Sequence, residues 1–310
     1  MALDASPSAL PDAAAPSADA ATDAAPSATD AGPFDPPDTA GPFAFDTSLD
    51  LVASDDGALH ADYFVPRGGA AHPVVFLRHG YTRGQQNLRG WGQRLASHGF
   101  AAVMPSTKDS GNATTGQRDL EAVVTFTLAK AHAPGSFLAG RLDDTHVVLG
   151  GHSSGGLAAT LAAAAGHVPV AGLVLLDTEA APEGVTAARN VHVPAVGAFA
   201  EPDTSPGALS CNEQGGGVVT AQALAGSVFA FRVAKASHCD LESNSDTLCA
   251  AACGGTSAER LAAFETYVVA FLQLMLRCDA RARPWVDGSI VAGDARVKVL
   301  EQRGLSSACR

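Results

Sequence analysis

The feature that most limits the possible folds is a series of six short, continuous apolar runs, each bounded by turn residues. They are PVVFLR (73–78), FAAVMP (100–105), THVVLG (145–150), PVAGLVLLD (169–177), VPAVGAFA (193–200) and SVFAFRV (227–233). Between them lie helical stretches at 85–98, 116–132, 154–166 and 257–277. Strands buried on both faces read as unbroken apolar runs, so this alternation predicts a mostly parallel sheet covered by helices on both sides. FAFDTSLDLV (43–52) and ALHADYFVP (58–66) alternate instead, as strands of an antiparallel edge do. One α/β domain over 42–310 is expected.

The segment before it differs in kind. Residues 1–41 are built almost wholly from Ala, Pro, Asp, Ser and Thr, a composition with little to bury that predicts a disordered tail or linker. Residues 1–50 hold nine Asp and no Lys or Arg, so most of the net charge of −12 sits there. Beyond them 23 acids face 20 bases, a net of −3. No basic field remains to attract nucleic acid. No apolar stretch approaches the roughly 18 residues a membrane-spanning helix needs.

Six cysteines (211, 239, 249, 253, 278 and 309) crowd the last third of the chain. An even number without CxxC or paired histidines reads as disulfides rather than as a metal site, and hence as an oxidising compartment. Cys239 has Cys211, Cys249 and Cys253 as open partners. The chain opens MALDASPSAL, without the basic start and apolar run of an export signal. A secreted or cell-envelope protein is expected, its export signal absent from this sequence.

The chemistry centres on Gly151-His152-Ser153-Ser154-Gly155, directly after THVVLG and directly before LAATLAAAAG. In G-x-S-x-G the glycines permit a sharp strand-to-helix turn with the serine at its tip, the nucleophile elbow of α/β-hydrolases. Ser153 is the expected nucleophile and needs a base. Three histidines follow it. His167 ends the elbow helix, His192 precedes a strand, and His238 lies on the loop after the last apolar run, where the base of this fold belongs. Asp177 and Asp203 both follow strands at the carboxyl edge, and either could orient the imidazole. The amides of Ser154 and Tyr81 are the expected oxyanion donors. No metal or other cofactor is called for.

HGYTRGQQNLRGWGQRLASHGF (79–100) resembles the corresponding stretch of bacterial cutinase-like polyester hydrolases, which act on poly(ethylene terephthalate). The resemblance implies an oxyanion role for the Tyr81 amide and a C-terminal disulfide between Cys278 and Cys309. GLVLLDTEA (172–180), the Cys211 loop and VAKASHCDLE (233–242) are more similar to chlorophyllases, which implies Asp177 as the triad acid. Phospholipases that cleave platelet-activating factor share that short serine-to-acid spacing. Polyester hydrolases place the acid one strand later, at Asp203. We take Asp177, because the surrounding sequence is closer to chlorophyllases. The tryptophan that clamps aromatic substrates in polyester hydrolases is missing from DTEAAPEG (177–184).

The expectation is therefore a monomeric serine carboxylic-ester hydrolase of the α/β-hydrolase fold, with little or no cap domain. Its triad is Ser153, His238 and Asp177, and its substrates are short-chain or polymeric esters. A lipase or phospholipase is the alternative among enzymes, and a non-catalytic binding protein on the same scaffold the alternative outside them.

Overall fold

The computed structural model describes residues 35–203 and 211–305. Nine strands form one sheet: β1 (Phe45–Val52), β2 (His60–Pro66), β3 (His72–Arg78), β4 (Ala101–Pro105), β5 (Leu142–His152), β6 (Gly172–Leu176), β7 (Ala195–Phe199), β8 (Val228–Val233) and β9 (Val297–Arg303). Their spatial order is β1-β2-β4-β3-β5-β6-β7-β8-β9. From β4 to β8 every pairing is parallel, and β1, β2 and β9 add antiparallel edges. This is the α/β-hydrolase fold. The six apolar runs all lie in its parallel centre, as their composition predicts.

Helices cover both faces: α1 (Arg89–Ser97), α2 (Ala113–His132), α3 (Ser154–Ala165), α4 (Pro182–Ala188), α5 (Val218–Ala223), α6 (Thr247–Cys253) and α7 (Ala258–Leu276). The Asn112 side chain starts α2 by accepting from the Thr115 amide, and Ser257 caps α7 in the same way. Helix α3 buries Ala158, Ala159 and Ala162, whose small side chains let it lie close to the sheet. It stops at Gly166, whose left-handed backbone (φ 68°) suits a residue without Cβ.

The folded body begins at Asp35 rather than at residue 42. His98 is fully buried, and its ring nitrogens meet Asp35 Oδ2 at 2.8 Å and the Thr39 carbonyl at 3.0 Å. Gln273 of α7 donates to the Asp35 carbonyl at 2.7 Å, and Arg94 donates to that of Pro37. The expected tail over 1–41 thus reaches into the domain at its end; residues 1–34 lie outside the described residues.

Candidate active site

Strand β5 runs straight into the elbow. Ser153 has φ 55° and ψ −123°, a strained conformation for a residue with a side chain. Close approach of the β3 loop explains the flanking glycines. A Cβ on Gly155 would lie 2.2 Å from the Arg78 carbonyl oxygen, and one on Gly80 would lie 3.0 Å from Ser153 Cβ. The loop after β3 is therefore pressed against the serine, and only glycine at 155 lets it come so near.

That loop carries Tyr81, a residue 63% exposed that lines the cleft. Among the described residues no hydrogen bond occupies the Tyr81 or Ser154 amide. The Ser154 hydroxyl donates to the Ser110 carbonyl at 3.1 Å. His79 is buried behind this loop, with Nδ1 2.9 Å from the Gly80 carbonyl. Burial lowers its pKa to about 4, outweighing that hydrogen bond.

His238 opens a short 3-10 turn after β8. Its Nδ1–H donates to Asp177 Oδ2 at 2.7 Å, and both side chains are buried. Asp177 stands at the end of β6 with a left-handed backbone (φ 42°), and its Oδ1 accepts from the Ala200 amide at 3.2 Å. The carboxylate facing His238 is thus Asp177. Asp203 lies farther along, after β7, where its amide donates to Asn212 Oδ1 at 3.1 Å. Ser153, His238 and Tyr81 line one cavity of about 350 Å³.

Several residues around this cavity have no motif to betray them. His152, the variable residue of the elbow, packs its ring 4.3 Å from that of His238 and puts Nε2 3.0 Å from the His238 carbonyl. Burial first, then its neighbour His238, hold the His152 pKa well below the ordinary range. Arg83 reaches across from the β3 loop to Glu242 in a bidentate pair, Nε–Oε1 and Nη2–Oε2 both at 2.7 Å. Glu242 is buried and Arg83 is partly buried, and Arg83 also meets Asp246 at 3.0 Å. Trp91 of α1 donates to the Leu241 carbonyl at 2.7 Å.

Two disulfides close the same side: Cys239–Cys249 and Cys211–Cys253. The first joins the residue after His238 to α6, and Cys211, Cys249 and Cys253 all line the cavity. Of the partners open to Cys239, Cys249 is the one bonded. The implied Cys278–Cys309 pairing involves Cys309, which lies outside the described residues. Cys239, Cys249 and Cys253 cluster with sulfurs within 4.8 Å of one another. Because each is oxidised to a disulfide, none offers the thiolate a metal needs.

A parallel sheet with a strained serine between strand and helix, and a histidine–carboxylate pair at the same edge, defines an α/β-hydrolase. Residues 18–204 match the family model described as PET hydrolase-like, more than half of the chain, and the chain belongs to that family. Over 118 residues it is 28% identical to Cutinase est1 of Thermobifida alba, covering 38% of this chain and 39% of that protein. Over the same length it is 27% identical to Cutinase 2 of Thermobifida cellulosilytica, covering 38% and 44%, and to the cutinase of Thermobifida fusca (strain YX), covering 38% and 36%. The matched stretch is thus less than half of each relative. The family match includes Ser153, Tyr81 and Asp177 and stops short of His238.

Proposed function

We propose that this protein is a serine carboxylic-ester hydrolase working through an acyl-enzyme, with Ser153 as nucleophile, His238 as base and Asp177 as the acid that orients it. The observation that carries the reading is the histidine between its two partners. Nδ1 is committed to Asp177 at 2.7 Å, while the ring lines the same cavity as Ser153. That bond selects the tautomer whose Nε2 is free to take the Ser153 proton. Attack on an ester carbonyl then places the new negative charge at the Tyr81 and Ser154 amides. His238 returns the proton to the leaving alcohol, and water repeats the sequence on the acyl-enzyme.

Family membership and the cutinase relatives support short-chain or polymeric esters as substrates. The stretch after Asp177, without an aromatic residue, argues against efficient cleavage of aromatic polyester. Two disulfides support a secreted or cell-envelope setting, and no helix among the described residues is long and apolar enough to cross a membrane. We assign a monomer with no cofactor.

Turnover of p-nitrophenyl butyrate by the wild type, Ser153→Ala, Asp177→Asn and Asp203→Asn tests the reading. Ser153→Ala should lose on the order of 10⁶ in kcat, and Asp177→Asn should fall far below Asp203→Asn. A wild type that neither turns over ester nor takes a fluorophosphonate label on Ser153 would sink the proposal in favour of a binding scaffold. Equal losses in the two Asn variants would remove Asp177 from the triad.

A further inference from the structure

His152 is the last residue of β5 and directly precedes Ser153. Its side chain is 2% exposed, in the wall of the cavity that Ser153 and His238 share. Nε2 stands 3.0 Å from the His238 carbonyl oxygen. A carbonyl oxygen only accepts, so this nitrogen carries the proton and donates it. Nδ1 is then an acceptor, and among the described residues nothing donates to it. Glu242 Oε1 is 3.8 Å away, beyond hydrogen-bond reach, and already accepts from Arg83.

A second proton on His152 is opposed by burial first and by His238 next to it, then by Arg83 and His79. The ring is therefore neutral, with its one proton committed to the backbone of His238. A buried acceptor without a partner costs stability, and a hydrocarbon ring in the same place would avoid that cost. What imidazole adds over hydrocarbon is the Nε2 donor. The ring supplies a second restraint, its centroid 4.3 Å from that of the His238 ring with the planes at 37°.

Both restraints bear on something the Asp177 bond does not control. One bond to Nδ1 orients the His238 imidazole but leaves its distance from the nucleophile to the loop that carries it. The other fastenings of that loop lead elsewhere: Cys239 to α6, Glu242 to the β3 loop and Leu241 to α1. The His152 contact leads to β5, one residue from Ser153.

Resting on the acyl-transfer reading above, we propose that His152 is a positioning residue for the reaction. Its Nε2–H on the His238 carbonyl and its ring against the His238 ring hold the base at a fixed spacing from Ser153. The brace acts on the base and not on the ester, so it belongs to kcat rather than to KM.

Two substitutions separate its parts. His152→Phe keeps a ring and removes the donor; His152→Gln removes the ring and keeps an amide donor near the place of Nε2. With p-nitrophenyl butyrate the Phe variant should lose about 10²-fold in kcat with KM within about twofold, and the Gln variant should recover to within about tenfold of wild type. The proton shared by His238 Nδ1 and Asp177 gives the second readout, a low-field proton resonance. It should shift or broaden in the Phe variant and return in the Gln variant, which a merely structural role for His152 would not produce. Should the Phe variant fail to fold, His152→Met, donorless and more pliant, takes its place with the same expectation. A donorless variant with wild-type kcat, a loss confined to KM, or a fallen kcat with the resonance unmoved overturns the positioning role and leaves the esterase reading intact. A wild type that neither turns over ester nor takes a fluorophosphonate label on Ser153 removes both.

Discussion

The two halves of the cleft are held in place by different means. On the side of the proposed nucleophile, geometry comes from the backbone: a strained Ser153, and the β3 loop packed so close that Gly155 admits no Cβ. On the side of the proposed base the His238 loop depends on side chains. It is fastened by a disulfide beginning at Cys239, by the Arg83–Glu242 pair and by the Trp91 bond to Leu241. Strain on one side and cross-links on the other teach that a precise site can be assembled from unlike parts, provided one group bridges them. Arg83 is one such bridge, rooted in the β3 loop and bonded to the His238 loop, beside the His152 contact with the His238 carbonyl.

If the nucleophile side depends on close backbone approach, its weakest point is Gly155. Gly155→Ala places a methyl 2.2 Å from a carbonyl oxygen, so the β3 loop and its Tyr81 amide must retreat by about an ångström. A displacement of that size should lower kcat/KM by about 10²–10³, read against p-nitrophenyl butyrate. An active Gly155→Ala would show that this side is not set by contact.

The base side should respond in stability as well as rate. Removing the Cys239–Cys249 cross-link as a double Cys→Ser variant releases a loop with sequence separation 10 and should cost about 3 kcal/mol, measured by urea unfolding. Hydrogen exchange should rise in 238–250 and stay unchanged over 150–156. Equal loss of protection at both places would erase the distinction between the sides.

Smaller still should be the effect of the bridge. Glu242→Gln weakens the bidentate pair but leaves Arg83 its contact with Asp246 at 3.0 Å. We expect about 2 kcal/mol of destabilisation, with loss of kcat exceeding any change in KM, because both loops shift against each other. A KM effect alone would make the pair part of substrate binding instead.

What could be read in the sequence follows the same division. The parallel strands, the elbow and Ser153 were legible because each depends on local pattern: apolar runs, two glycines, a strand before and a helix after. His238 as the proposed base rests on chain order. The acid was not, since the two resemblances pointed to different strands, and the family match extends over both Asp177 and Asp203 without reaching His238. Geometry, in the form of the 2.7 Å bond, favours Asp177. Arg83 and Glu242 were hidden because they lie 159 residues apart with nothing in either neighbourhood to link them. Strand β9 (VKVLEQR) was missed because an exposed edge alternates weakly with charge. Residues 35–41 look like tail by composition, and only buried His98 reveals that Asp35 and Thr39 have partners.

The finest test concerns His79, buried behind the nucleophile-side loop. Burial sets its pKa at about 4 in the folded protein against an ordinary 6.5. Folded His79 therefore binds fewer protons than unfolded His79 between those values, so its contribution is complete above about pH 6.5 and is lost progressively as the pH falls toward 4. Between pH 6.5 and 5.5 the loss should be about 1 kcal/mol. His152, buried and shifted in the same direction, adds its own loss to the wild-type profile, so the informative quantity is a difference. His79→Gln, which keeps a donor for the Gly80 carbonyl, should flatten the urea-stability profile by about that 1 kcal/mol over the same interval. A parallel profile would mean that His79 is hydrated and that the nucleophile-side loop is looser than its packing against Ser153 implies.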